Sequence, residues 1–226
     1  MNFPKDRIYP PSPHQWADMP ASFTKEELTI GGWQVMQSWE LPMMRVMAEA
    51  VTEEKGDVLE VGFGMGICAN EIAAQGCSSY AVIEAHPAVA ESAREWGEQQ
   101  SFPVTVHEGL WQEVVPDLDQ RYDGIVFDTF PLAPEERSRN HFPFIPIAPS
   151  LLNPGGVLTL YSDEDRDFRG EHLSLLLTSF SDLRLIKVED LSPPEDCEYW
   201  ERTEMVIPVA RMGMNGADPS TNSTDG

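Results

Sequence analysis

The sequence predicts an α/β fold: a mostly parallel seven-stranded sheet with helices on both faces and an N-terminal lid. Two observations carry that expectation. Asp57-Val58-Leu59-Glu60-Val61-Gly62-Phe63-Gly64-Met65-Gly66 is an apolar run that passes straight into a glycine-punctuated turn and then a helical stretch. Val58, Leu59 and Val61 suit a strand buried on both faces, and the glycines let the backbone turn sharply beside a ligand. Further apolar runs alternate with helical patterns along the rest of the chain, the rhythm of a doubly wound parallel sheet.

Taken in order, residues 1–22 hold Pro4, Pro10, Pro11, Pro13 and Pro20 among aromatics, which predicts an extended arm with no helix of its own. Trp16 either anchors that arm to the body or closes it over a site. From Thr24 to Glu54 the apolar spacing reads as one helix, a break at Pro42, and a second helix. Glu40 stands at the break between Trp39 and Leu41-Pro42. It is either an exposed residue at a kinked helix end or a buried carboxylate, which is costly unless paired. After the glycine turn, 67–74 reads as a short helix. Tyr80 to Glu84 reads as a strand, and Pro87 to Gln100 as a helix opened by proline at its first position.

Val104 to Glu108 is a third strand, followed by Gly109-Leu110-Trp111 at the same edge of the sheet. Trp111 is either core or a wall for an adenine ring. Tyr122-Asp123-Gly124-Ile125-Val126-Phe127-Asp128 is a fourth strand, with Asp128 at its carboxyl end before Thr129-Phe130-Pro131-Leu132. Residues 141–152 are aromatic and proline-rich with a helical end, and Asn153-Pro154-Gly155-Gly156 turns into the strand 157–162. A helix over 173–180 and two late strands at 183–188 and 204–209, forming a hairpin-like edge, complete a domain spanning 23–210. Residues 211–226 carry almost no apolar content and are expected to be a disordered tail.

The spacing Glu-x-Gly-x-Gly-x-Gly differs from the Gly-x-Gly-x-x-Gly fingerprint that cradles a pyrophosphate, and suits a cofactor without phosphates. Glu84 ends the next strand about 20 residues past the glycine turn, where a carboxylate can accept both hydroxyls of a ribose. A glycine turn with a ribose acid points to S-adenosyl-L-methionine, leaving S-adenosyl-L-homocysteine as product.

Composition narrows the partners. The 226 residues suit one domain, and the net charge of -23 repels phosphate backbones and anionic membranes while accepting a cationic substrate. No apolar run reaches the ~20 residues of a membrane helix, and the N-terminal residues show no signal core, so a cytoplasmic protein is expected. Cys68, Cys77 and Cys197 lack paired spacing and the five histidines are scattered, so no disulfide framework or metal site is expected. A homodimer remains open.

Several stretches together resemble guanidinoacetate N-methyltransferase and its arginine-methylating relatives, within the Rossmann-like class I S-adenosylmethionine-dependent methyltransferases. They are Val35-Met36-Gln37-Ser38-Trp39-Glu40-Leu41-Pro42, the glycine turn, Gly109-Leu110-Trp111, Tyr122 to Leu132, and Leu152 to Thr159. Asp196-Cys197-Glu198-Tyr199-Trp200 is similar to that family's last hairpin. The resemblance, from Trp16 to Val209, implies that Phe63, Gly64, Met65, Gly66, Ile67 and Cys68 wrap the methionyl part of the cofactor. It implies that Glu84 takes the ribose, with Ala85 and His86 beside it, and that Trp111 and Gln112 lie near the adenine. Met36, Met44 and Trp16 would close over the cofactor, and Asp128 would touch it from the substrate side.

Glu40 and Asp128 would grip the guanidino group, in a dry pocket of Trp39, Met43 and Phe130. The family's loop that holds the substrate carboxylate reads Ser162-Asp163-Glu164-Asp165 here. Its acids either face solvent or pair, through Asp163 or Glu164, with the α-ammonium of arginine, which disfavours guanidinoacetate. The resemblance thus implies N-methylation of a small cationic guanidino substrate, free L-arginine ahead of guanidinoacetate. Protein arginine and a catalytically inactive binding module are the further alternatives.

Overall fold

A computed structural model describes residues 9–136, 139–162 and 170–214. The chain opens with a 3-10 helix at Pro13–Asp18, so the proline-rich arm does hold a short helix. β1 (Ala21–Phe23), β2 (Glu27–Ile30) and β3 (Trp33–Gln37) then form an antiparallel three-stranded meander where a helix was expected. Gly31 and Gly32, at φ +58° and +82°, make the two-residue turn between paired Ile30 and Trp33. Such a turn needs positive φ at both positions, and it sets a strand register in which Leu28 and Ile30 point inward together. The apolar residues of this stretch also fit a helical period; the glycine pair decides against it.

A 3-10 turn at Ser38–Glu40 leads into α1 (Leu41–Val51), and Pro42 lies in its first turn, where its missing N–H costs nothing. There is therefore one helix here, begun by Pro42 and not interrupted by it. β4 (Asp57–Val61), α2 (Ile67–Gln75), β5 (Ser79–Glu84), α3 (Pro87–Gly97), β6 (Val104–Glu108), α4 (Trp111–Val114) and β7 (Tyr122–Phe127) follow. α5 (Ala148–Leu151), β8 (Leu152–Leu160), α6 (Gly170–Ser179), β9 (Asp182–Val188) and β10 (Met205–Arg211) complete the described chain.

Seven strands form one sheet in the order β6-β5-β4-β7-β8-β10-β9. The first five are parallel, and β10 runs antiparallel to both β8 and β9. The late pair is thus antiparallel as expected, with only β9 at the edge and β10 inside the sheet. Alternation along the strands splits the core in two. Val58, Val82 and Val126 face α1, α2 and α3, while Leu59, Val61, Ile125 and Phe127 face α5 and α6. β10 runs through Arg211, and Met212 is buried, so the ordered chain passes the boundary expected at 210; the residues from 215 on lie outside those described. No described helix is long and apolar enough to cross a membrane.

Candidate active site

The carboxyl ends of β4, β5 and β7 meet at one edge of the sheet, beside the point where the chain order reverses, and there a cavity of about 480 Å³ opens. Its floor is the glycine turn. Gly62, Gly64 and Gly66 have φ of +92°, +56° and +69°. A Cβ at Gly62 would stand 2.0 Å from the backbone oxygen of Asp128, so only glycine lets β4 and β7 end this close together. A Cβ at Gly64 would stand 2.6 Å from Met36 Sδ, which also accepts the Met65 N–H at 3.2 Å. Met36 therefore lies directly against the turn.

Glu84 closes the other side. Its Oε2 accepts the Phe63 N–H at 2.9 Å and its Oε1 accepts the His86 N–H at 2.8 Å, tying the glycine turn to the end of β5. Burial pushes its carboxyl up, against the pull of those backbone donors. Glu84 still lines the cavity, together with Ala85, Trp111 and Gln112. Trp111 packs edge-on to Phe127 and Phe144, so it serves the core and the cavity wall at once. Trp16, in the arm, stacks on Phe130 with centroids 5.2 Å apart and planes at 10°. His86 lies beneath it and its Nε2 is 2.8 Å from the Met19 oxygen. A carboxylate at the end of β5, a glycine turn and an aromatic cover around one cavity fit S-adenosylmethionine.

The remaining sequence-derived cofactor residues stand behind this surface. Met44 is fully buried in α1, and Cys68 packs against it from α2, its Sγ 3.9 Å from the Met44 oxygen. Phe63 is buried with its ring against Trp96, and neither Met65, Gly66, Ile67 nor His86 lines the cavity. These residues shape the turn from beneath. Of the apolar residues expected around the substrate, Phe130 lines the cavity, whereas Met43 is in the core and Trp39 packs on Tyr199 outside it. Asp163 and Glu164 lie outside the described residues.

Glu40 and Asp128 both line the cavity. Glu40 is 2 % exposed, which removes the reading of a solvated helix end. Its Oε1 accepts the Gln37 N–H at 2.8 Å, capping the 3-10 turn, and the Tyr199 hydroxyl at 2.6 Å. Asp128 is half-buried just past β7, held by its N–H donating to the Val61 oxygen at 2.9 Å. Burial and the negative charge of Asp128 push the Glu40 carboxyl up to about 8, and burial pushes Asp128 up to about 7. Among the described residues no lysine or arginine forms an ion pair with either carboxylate. Two acids that line one cavity, neither paired with a protein cation among the described residues, suit a cationic ligand.

Sequence reasoning singled out neither Tyr199 nor Asn140 as site residues. Tyr199 lay in a stretch noted only as similar to a family hairpin, and the partner it reaches is 159 positions away. Asn140 Nδ2 donates to the backbone oxygen of Thr129 and, at 3.1 Å, to its Oγ1, steadying the turn that carries Asp128.

Comparisons with known proteins agree with this geometry. Over the described fold the chain is similar to spermidine synthase from Thermotoga maritima, with a TM-score of 0.61, 14% identity, and coverage of 91% of this chain and 78% of that one. An O-methyltransferase from Bacillus cereus in complex with SAH gives a TM-score of 0.51 at 15% identity, covering 78% and 82%. At these identities the likeness establishes the fold, that of Rossmann-like class I methyltransferases. The protein arginine N-methyltransferase 2 of Aspergillus oryzae is 43% identical over 102 residues, 42% of this chain and 24% of that protein. That of Candida glabrata is 32% identical over 136 residues, 57% and 32%. The chain thus spans about a quarter to a third of the length of these relatives. The guanidinoacetate N-methyltransferase family matches residues 11–212, nearly the whole described chain. The methyl donor that family implies is S-adenosylmethionine. By that match, and with the carboxylates and the glycine turn set around one cavity, the chain belongs to the guanidinoacetate N-methyltransferase family.

Proposed function

We propose that this chain transfers a methyl group to a guanidino nitrogen of a small molecule, with free L-arginine preferred to guanidinoacetate. The supporting observation is the pair Glu40 and Asp128, a buried and a half-buried carboxylate lining one cavity with no ion pair to a lysine or arginine among the described residues. A guanidinium is planar and delocalised with a pKa of ~13, so its nitrogens have no free lone pair. Carboxylates on two sides hold its positive charge on the nitrogens that do not react and aim the third. Bound S-adenosylmethionine supplies an electrophilic methyl on a sulfonium. Asp128, at the end of β7 and against the glycine turn, accepts the proton that the methylated nitrogen releases. Glu40 stays ionised and keeps the cation in place.

Charge supports arginine over guanidinoacetate. At neutral pH arginine carries a net charge of +1 and guanidinoacetate none. The cavity rim adds Glu135, Glu136 and Glu171 to the acids, with Arg139 already paired to Glu171 at 3.2 Å. This excess of acids favours a ligand with an extra ammonium, as does the acidic stretch Asp163-Glu164 if it holds the place the family resemblance implies. The names of the fungal relatives support a second reading, methylation of arginine in a protein.

Turnover of methyl-labelled cofactor against L-arginine, guanidinoacetate, agmatine and an arginine-containing peptide distinguishes these. L-Arginine is expected to show the highest kcat/KM, by about 10-fold over guanidinoacetate, and Asp163→Asn or Glu164→Gln should narrow that gap. A clear preference for guanidinoacetate, or for the peptide, would overturn the choice of substrate.

A further inference from the structure

Glu40 and Asp128 are not equivalent. Glu40 Oε1 is engaged twice, by the Gln37 N–H at 2.8 Å and by the Tyr199 hydroxyl at 2.6 Å. Both hydrogen bonds to the Glu40 carboxylate among the described residues thus go to Oε1, and Glu40 lines the cavity. The Asp128 carboxylate has neither oxygen engaged among the described residues. The contact to Tyr199 crosses between distant parts of the chain. Tyr199 sits in the connection between β9 and β10, and its ring packs on Trp39 with centroids 5.9 Å apart. Trp39 Nε1 donates to Gln37 Oε1 at 2.9 Å, and Gln37 Nε2 donates to Glu27 Oε2 at 3.2 Å. The Gln34 side chain ties the same connection to β3, donating to the Asp196 oxygen at 3.0 Å and accepting the Glu198 N–H at 2.8 Å. Capping of the 3-10 turn needs only the Gln37 contact, so the tyrosine is a second, separate constraint on the same oxygen.

We propose that Tyr199 is a positioning residue for methyl transfer: it locks Glu40 so that Oε2 alone meets the guanidinium, and leaves the two-oxygen fork of the cation to Asp128. A free carboxylate at position 40 would rotate and compete with Asp128 for the fork, presenting the wrong nitrogen to the methyl. With Oε1 saturated, one arrangement of the planar cation remains, with Asp128 on one edge and Glu40 Oε2 on the next N–H. Tyr199 acts as a donor only, since burial and the neighbouring Glu40 hold its hydroxyl far above the ordinary tyrosine range. Donation to Glu40 also favours the ionised carboxylate, opposing the burial that raises it. This inference rests on the reading of Glu40 as a guanidino-binding group.

The test measures kcat and KM across pH for L-arginine and guanidinoacetate in the wild-type protein, Tyr199→Phe, and the protein carrying 3-fluorotyrosine at position 199. Tyr199→Phe should raise KM by about 10-fold and move the acid limb of kcat/KM upward by roughly half to one pH unit. S-adenosylhomocysteine affinity should stay within about 2-fold, because Glu84 and the glycine turn are untouched. 3-Fluorotyrosine keeps the packing and is a stronger donor, so it should move the same limb downward. Opposite movements in the two proteins support the proposal. An unmoved limb in the fluorotyrosine protein, or a loss in Tyr199→Phe that is equal at every pH, overturns it. Should Tyr199→Phe fail to fold, the fluorotyrosine protein decides alone. Glu40→Gln run beside them separates the two levels. Near-normal turnover in Glu40→Gln would sink the role of Glu40 itself, while an inactive Glu40→Gln with unmoved limbs would sink only the role of Tyr199.

Discussion

Asp128→Asn is expected to lower turnover by about 100-fold or more while changing S-adenosylhomocysteine affinity less than about 2-fold. The substitution is nearly isosteric, and the Asp128 N–H still donates to the Val61 oxygen, so the end of β7 keeps its place. What changes is chemistry at the carboxylate. The amide presents an N–H to a cation that is itself all donors, so one edge of the guanidinium loses its partner. The proton leaving the methylated nitrogen also loses its acceptor. Because burial raises Asp128, this carboxylate is better matched to taking a proton near neutral pH than a solvated aspartate would be. Rapid-quench turnover of labelled methyl groups checks the prediction, and near-wild-type rates in a folded Asp128→Asn protein would rule out its role as proton acceptor.

Gly62→Ala should be the most damaging single substitution in the cofactor half of the site. The new Cβ would stand 2.0 Å from the Asp128 backbone oxygen, and backbone has nowhere to rotate away. Gly62 is also fixed at φ +92° and its N–H donates to the Ile83 oxygen at 2.8 Å, so it cannot relax without opening β4 from β5. We expect a stability loss about 2 kcal/mol or more beyond that of backbone strain alone, and no measurable binding of S-adenosylhomocysteine. Gly76 makes the control. It has nearly the same φ, +91°, but nothing within 4 Å of its Cβ position, so Gly76→Ala should cost only its backbone strain, about 1–3 kcal/mol, and leave cofactor binding intact. Denaturant midpoints of the two variants provide the comparison, and equal losses would show that conformational strain, not the approach of β7, dominates at Gly62.

The parts of the molecule legible in the sequence are those governed by local rules. The strand 57–61 with its glycines, the acid at the end of β5 and the aspartate after β7 follow from apolar runs meeting turn residues, and strand order then places all three at one edge. The meander at 21–37 was misread because Leu28, Trp33, Val35 and Met36 satisfy a helical period as well as a strand period. The glycine pair 31–32 was the signal against a helix. The burial of Glu40 was undetermined for a different reason. Its neighbours in sequence are compatible with an exposed turn, and its second partner, Tyr199, arrives from beyond the sheet. Met44 and Cys68 sit on helices that back the glycine turn, buried with the Cys68 Sγ 3.9 Å from the Met44 oxygen, a placement that apolar spacing along α1 and α2 does not specify.

The pairing of Glu40 and Asp128 around a guanidinium is tested most directly by calorimetric titration of L-arginine and of guanidinoacetate into S-adenosylhomocysteine-saturated protein, in buffers of different ionisation enthalpy. In the ligand-free site both carboxyls are raised, so a fraction of them is protonated near neutral pH. A guanidinium favours the ionised forms and lowers both, so binding must expel protons at pH values between the ordinary carboxylate range and about 8. Release of up to about one proton near pH 7 is expected for the bound guanidine, falling toward zero above the raised range and strongly reduced in Glu40→Gln. Binding of equal strength and without proton release in the wild type and in Glu40→Gln would contradict the assignment of this carboxylate pair as the guanidino site.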